Sequence, residues 1–507
     1  MDQLSRRDFL RLVSLLTAGA LTNLFPEHND HIKSPDNIVI ILFDSMSANH
    51  LSLYGYPRET TPHLRRFANQ ATVYHSHYSA SNFTTPGTAS MLTGMYPWKH
   101  RALQYGGVIR RDLVSINPYS LLGEDFFRFF FSQNLWPDYL VGQVYKDIDR
   151  HLPLTSYSRR GNNLVYDKLG NDRTLAAISL EEFLFSLQTQ PSGSSLLGYL
   201  YKSLALYITV NNQTHENYPK GVPDVEGYFS YLNEVVYEGV FSEIMNLEFN
   251  HTPYFAYFHL YSPHLPYKPS NEFIYLFRDD FLPPKKPIHP TIKNSFDDHD
   301  LRQKRRRYDQ QIANVDAEFG KLIEKLGSNG VLDNSYVIVT SDHGELFERG
   351  FWGHGNLMLY EPVIKIPLLI HAPRQNSRKD IHSLTSNVDV LPTILSLAGK
   401  KIPDNLDGVM LPEFGGVEDF NRTLFSIDAV ANSAFLPLKK AAIAMRKGDH
   451  KLIKFIGYDS IVKQDEFYNI RKDPEELTNI VNVDTSKYER FKEKLLSDLK
   501  DANLPFE

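Results

Sequence analysis

Two carboxylates, an imidazole and a hydroxyl, on Asp44, Asp342, His343 and Thr84, are the side chains of this sequence best suited to shared chemistry. They are hard or borderline donors that fit one divalent cation. A cation so held lowers the pKa of a nearby hydroxyl and polarises an ester oxygen, so the set can support in-line attack of a hydroxyl on an ester. The departing alkoxide then needs a proton or a positive neighbour, and His264 and His354 are residues of the right type to supply either. His259 is a third imidazole in the same region, and at a strand end it can instead satisfy local hydrogen bonds. Taken singly each residue has an ordinary reading: an Asp at a strand end forms a turn, Thr-Thr-Pro is a turn, and Pro-His-x-Pro punctuates a loop. Their combination and order carry the chemical reading.

Elements that bring these residues together are legible as runs. Asn37 to Phe43 is nearly all apolar and rich in β-branched residues, the signature of a strand buried on both faces of a parallel sheet. Similar runs recur at Tyr254 to His259, Tyr336 to Thr340 and Ile366 to His371. Between them lie helical patterns, such as Ile312, Val315, Phe319, Leu322 and Leu326 within Tyr308 to Leu326. The alternation predicts an α/β sheet with helices on both faces. Ligands of such sheets bind beyond the carboxyl ends of strands, which is where Asp44, His259, His264 and Asp342-His343 fall.

The chain has 507 residues, 42% hydrophobic and 22% charged, enough for a large catalytic domain with a smaller appended one. A formal net charge of -6 gives no overall basic footprint, so nucleic acid is not an expected partner. The basic run Lys304-Arg305-Arg306-Arg307 reads as a solvated helix face. With no cysteine, disulfides and thiolate metal sites are excluded.

Residues 1–25 read as a targeting segment. Ser5-Arg6-Arg7-Asp8-Phe9-Leu10 resembles the twin-arginine export motif, followed by a short apolar stretch and small residues at Ala18-Gly19-Ala20. The expected location is periplasmic or otherwise extracytoplasmic, with the twin-arginine translocase as a partner during export. A catalytic domain is expected over 36–410, with a helical insertion at about 107–250 covering the site, and a smaller α+β unit over 411–507.

Several segments together resemble the sulfatase family of the alkaline-phosphatase superfamily. They are Asp44, Leu53-Tyr54-Gly55-Tyr56-Pro57-Arg58, Thr61-Pro62, and Thr84-Thr85-Pro86-Gly87-Thr88 running to Thr93-Gly94. Pro263-His264-Leu265-Pro266-Tyr267, Ser341-Asp342-His343-Gly344-Glu345, Gly353-His354-Gly355, Asp389 to Thr393, Arg446 to Ile453 and Asp473 to Asn479 follow in the family's order. The resemblance implies an alkaline-phosphatase-like sheet sandwiched by helices with a smaller C-terminal α+β subdomain. It also implies a nucleophile at Thr84, aligned by Pro86 and Thr93-Gly94, and one divalent ion (zinc, manganese or calcium) on Asp44, Thr84, Asp342 and His343. The implied substrate is a small-molecule, lipid or glycan ester. Asp309, Asp316 and Asp389 match family positions and read as structural.

Departures from the family pattern are as informative. Family sulfatases convert a Cys or Ser at the nucleophile position to formylglycine; Thr84, whose β-carbon bears a methyl group, would give a ketone instead. Thr88 replaces the motif Arg, Ser45 stands where a second acidic ligand is expected, and for the lysine used near sulfate only Lys146 is a loose match. A threonine nucleophile resembles that of phosphoethanolamine transferases, lipoteichoic-acid synthases and nucleotide pyrophosphatases in the same superfamily. The leading expectation is therefore phosphate-ester cleavage or phosphoryl transfer (diesterase, monoesterase or phosphotransferase) through a covalent Thr84 intermediate. The alternatives are sulfate-ester hydrolysis and a catalytically silent binding protein with the same fold.

Overall fold

In the run Asn37–Phe43 (β1) every residue is buried because successive side chains enter two different cores. Val39, Ile41 and Phe43 belong to one apolar cluster, and Ile38, Ile40 and Leu42 to another. The computed structural model describes residues 36–159, 217–225, 229–249 and 252–507. The targeting segment 1–25 lies outside the described residues, as does residue stretch 160–216 of the expected insertion. Residues 36–507 form one compact unit.

The other strands of the main sheet are β2 (Thr72–Tyr74), β3 (Phe127–Ser132), β4 (Arg150–His151), β5 (Tyr254–Leu260), β6 (Ser335–Ser341), β7 (Leu368–His371) and β8 (Lys379–Ile381), in the order β8-β2-β7-β6-β1-β5-β3-β4. From β6 to β4 neighbouring strands are parallel, whereas β7 runs antiparallel to β6 and β2. One face is covered by α1 (Pro62–Ala68), and also by α4 (Asn233–Glu248) and α5 (Asp298–Ser328), through Phe67, Val240, Ile312, Val315 and Phe319. Helices α2 (Thr84–Thr93) and α6 (Val390–Leu397) cover the opposite face through Ala89, Leu92, Leu391 and Ile394. Between these in sequence, α3 (Leu135–Val141) follows β3 and is capped by Asn134, whose side chain accepts the Trp136 amide.

Two expectations are corrected. Residues 127–132 are a strand of the main sheet, not part of a helical cover. The phenylalanine run suits the pleat: Phe129 and Phe131 enter one core, while Phe130 enters the other and stacks on Tyr257 at 5.4 Å. The basic run at 304–307 is not a solvated face either. Arg305 is buried and donates to the Phe347 carbonyl, and Lys304 lies 3.5 Å over the Trp352 ring, leaving Arg307 exposed.

Toward the C-terminus, β9 (Thr423–Asp428), β10 (Ala441–Lys447), β11 (His450–Ile456) and β12 (Glu466–Asn469) form an antiparallel meander. Helix α7 (Thr485–Asn503) closes one face with Leu495 and Leu499. This sheet shares its cores with Tyr78, Tyr96 and Trp98 from the first hundred residues. The Ile427 amide donates to the Ala80 carbonyl at 2.8 Å and Ser81 donates to the Ile427 carbonyl at 2.7 Å, so the meander braces the segment leading into α2.

Candidate active site

Parallel pairing of β1 with β6 sets Phe43 against Ser341, so the next residues, Asp44 and Asp342, emerge side by side. On the other side of β1, His259 of β5 pairs with Leu42. All three side chains are fully buried. Asp44 Oδ2 accepts from Asn134 Nδ2 at 2.6 Å and from His259 Nε2 at 3.1 Å. Asp342 Oδ1 accepts from the amides of Ser45, at 3.1 Å, and His343, at 2.9 Å. The other two oxygens, Asp44 Oδ1 and Asp342 Oδ2, are buried without a hydrogen-bond partner.

His343 Nδ1 lies 2.9 Å from the Gly344 carbonyl. A carbonyl only accepts, so Nδ1 carries the proton and Nε2 presents a lone pair. That nitrogen is 3.7 Å from Asp44 Oδ1, 3.5 Å from Asp342 Oδ2 and 3.2 Å from Thr84 Oγ1. No Lys or Arg pairs with either carboxylate among the described residues. Two buried carboxylates with orphaned oxygens, turned toward an imidazole lone pair, lack a compensating charge. The donor set fits a divalent cation, and its ligand atoms lie within 4.8 Å of one another. Without one, burial and then the neighbouring Asp342 push the Asp44 carboxyl up to about 7. Burial opposes the charge of Asp342 too, but the neighbouring His343 and His259 rings together with the hydrogen bonds from the Ser45 and His343 amides hold that carboxyl below its ordinary value.

Thr84 is the first residue of α2, where unsatisfied amides and the helix dipole favour negative charge. Gly87 lets this helix approach the turn that carries Asp342. A Cβ there would lie 2.7 Å from the Asp342 carbonyl oxygen, which already accepts from Ser79 Oγ at 2.5 Å. Ser45, where the resemblance expects an acid, has φ 55° and serves the site through its backbone amide.

His354 and His264 extend the cluster, with ring centroids 4.3 Å apart for His343 and His354 and 5.1 Å for His354 and His264. His354 Nδ1 is 3.1 Å from Glu345 Oε1, and Glu345 Oε2 accepts from the Tyr267 hydroxyl at 2.9 Å. Trp352 Nε1 in turn donates to that hydroxyl at 3.1 Å. Burial lowers His354 and His259 to about 4, and raises Glu345 to about 7.

All six residues singled out for the site, Asp44, Thr84, His264, Asp342, His343 and His354, therefore lie in one region. His259 joins them as a donor to Asp44. Lys146 is exposed on the turn 142–147. Asp309 binds His50, Tyr56 and Arg58; Asp316 accepts the His63 and Leu64 amides; and Asp389 is paired with Arg422. Asn134 was missed, although as the residue just beyond a strand of the sheet it would have been found had β3 been read as a strand.

A family model described as Sulfatase matches residues 36–119 and 199–400, and one described as N-sulphoglucosamine sulphohydrolase, C-terminal, matches residues 348–504. The arylsulfatase of Clostridium perfringens is 22% identical over 483 residues, covering 90% of this chain and 92% of that one. Arylsulfatase K of Xenopus laevis is 30% identical over 240 residues, and the match spans 44% of each chain, less than half of that relative. The fold matches the phosphonate monoester hydrolase of Agrobacterium radiobacter with a TM-score of 0.66 at 18% identity, over 92% of this chain and 96% of that one. The mixed sheet between two helical layers is thus the alkaline-phosphatase-like fold.

Proposed function

The chain belongs to the sulfatase family of the alkaline-phosphatase superfamily and is a sulfatase-family hydrolase, and we propose that it cleaves phosphate esters, or transfers their phosphoryl group, through a covalent intermediate on Thr84. One observation carries the reading: a threonine hydroxyl, which cannot become formylglycine, sits at a helix N-terminus 3.2 Å from His343 Nε2, itself 3.7 and 3.5 Å from two orphaned carboxylate oxygens. A divalent ion of the zinc, manganese or calcium type, held by Asp44, Asp342, His343 and the Thr84 oxygen, would supply positive charge beside the hydroxyl and the ester.

Thr84 Oγ forms the new bond to phosphorus as the bond from phosphorus to the alcohol oxygen breaks. In this reading the proton lost from the Thr84 hydroxyl passes to His264 or His354, which hold the transferring oxygens and give that proton to the departing alcohol. Glu345 orients His354. Water, or the hydroxyl of an acceptor, then displaces Thr84 from phosphorus. Asn134 and His259 keep Asp44 oriented by occupying its Oδ2.

The relatives named as arylsulfatases favour a second reading, sulfate-ester hydrolysis at the same site. The family's route for expelling sulfate needs an aldehyde hydrate, which Thr84 cannot form, so the phosphoryl reading ranks first. Rates on phosphate and sulfate esters of the same alcohol decide between them: faster sulfate release across a broad panel would overturn it. Export through the twin-arginine pattern is proposed with it, and its test is whether Arg6→Lys with Arg7→Lys traps precursor in the cytoplasm. Unchanged export would remove that part. Among the described residues no helix is long and apolar enough to cross a membrane.

A further inference from the structure

Asp428, the last residue of β9, is a buried carboxylate at 1% exposure whose partners among the described residues are all neutral hydrogen-bond donors. Its Oδ2 accepts from Asn82 Nδ2 at 3.0 Å and from the Leu357 amide at 2.8 Å, and its Oδ1 from the Val430 amide at 3.3 Å. Burying a carboxylate without a counter-ion is costly unless its donors are well fixed, so the segments that supply them show what it holds. Two of the donors flank reacting groups. Asn82 lies two residues before Thr84, and Leu357 three residues after His354.

Asn82 is fully buried, and its orientation is forced: Nδ2 donates to Asp428 and, at 3.1 Å, to the Met358 carbonyl, and both partners accept. Its backbone carbonyl accepts from the Gly355 amide at 2.9 Å. Asn82 thus grips the loop after His354 at Gly355 and at Met358, and Asp428 takes the Leu357 amide between them. That loop needs holding, because Gly355, Asn356 and Leu357 have φ of 71°, 56° and 65°. Asn tolerates the left-handed region, whereas Leu stays there only when its surroundings impose it. Here they are the Asp428 hydrogen bond and a core that the Leu357 side chain shares with Leu424, Ala444 and Ile453 of the meander.

We propose that Asp428 is a positioning residue for His354, fixing the loop that carries it against the segment that leads into Thr84. The C-terminal meander then takes part in the reaction through one buried carboxylate. The proposal rests on the ester-cleavage reading above, in which a histidine gives the departing alcohol its proton. A misplaced proton donor slows an ester more as its departing alkoxide becomes more basic, which general loosening of the fold does not do.

The test compares phenyl with p-nitrophenyl phosphate, and the matching sulfates, on metal-loaded wild type, His354→Ala, Asp428→Asn and Asn82→Ala. Asp428→Asn keeps the side-chain shape but turns one acceptor into a donor; Asn82→Ala breaks the same link from the other side and carries the comparison if the first variant does not fold. Turnover of the phenyl ester should fall about tenfold or more relative to the p-nitrophenyl ester in all three variants. Metal content should be unchanged, and amide exchange across residues 353–358 should quicken in the Asp428 and Asn82 variants. A selective loss in His354→Ala with none in the other two, or unchanged exchange across 353–358, overturns the proposal. Equal slowing of both esters in His354→Ala would instead count against the proton role given to that histidine, and exchange across 353–358 would then decide alone whether Asp428 holds the loop. Turnover of sulfates only would count against the phosphoryl reading, and the same ratio within that series would still decide the role of Asp428.

Discussion

Thr84 Oγ1 and His343 Nε2 stand 3.2 Å apart although 259 residues separate them in the chain. The gap is closed by two packed surfaces: α2 lies against the turn after β6, and that turn is locked by Ser79 on the Asp342 carbonyl. The alignment of the Thr84 hydroxyl with the His343 imidazole is therefore a property of a helix, a turn and the glycine between them.

Gly87→Ala tests that packing. Helix propensity alone favours Ala by about 1 kcal/mol. The new methyl would lie 2.7 Å from a backbone oxygen that cannot swing away, so the contact decides the sign. Expected are a loss of about 1–3 kcal/mol in stability by denaturant unfolding and a drop of about 10–100-fold in kcat. A variant as stable and active as wild type would mean the helix can shift without cost to the site.

Asp342→Asn tests the cation site. The substitution removes charge from the oxygen that has no protein partner while leaving an acceptor for the Ser45 and His343 amides. Metal affinity should fall about 100-fold or more, because ligand changes cost at least what losing their supporting hydrogen bonds costs. Elemental analysis and circular dichroism should show metal lost from a folded protein, and chelator treatment of wild type should remove activity that added divalent ion restores. Full occupancy in the variant would place the ion elsewhere.

Sequence reading grouped residues that the fold brings together because they lie at the ends of strands buried on both faces, where apolar runs stop abruptly at Asp44 and Asp342. It missed β3, since six residues dominated by phenylalanine do not reveal by composition whether they pleat into a sheet or cover it. With β3 went Asn134. Glu345 stood in plain view within Asp-His-Gly-Glu, but its role depends on Tyr267 and His354, which only the tertiary fold brings to its two oxygens. Arg305 likewise looked solvated in a basic run until Phe347 and Glu348 packed against it.

Asp316 gives a pH dependence remote from the cation ligands. Burial raises its carboxyl to about 7, against the opposing pull of the His63 and Leu64 amides. With the folded pKa above the unfolded value, the folded state holds a proton that the unfolded chain has released. Its contribution to stability is full below about pH 4 and is lost as pH rises through about 7. Asp316→Asn should flatten the fall in unfolding free energy over this window; an unchanged slope would assign the proton to another group.

The most direct test of the central claim is the mass of the Thr84 peptide after millisecond quenching with a phosphate diester or monoester. The account predicts an added phosphoryl group on Thr84 in wild type and in Thr84→Ser at that position, none in Thr84→Ala, and a loss of several powers of ten in kcat for the Ala variant alone. Turnover of these esters with no adduct under any quench, and with Thr84→Ala as fast as wild type, would contradict it.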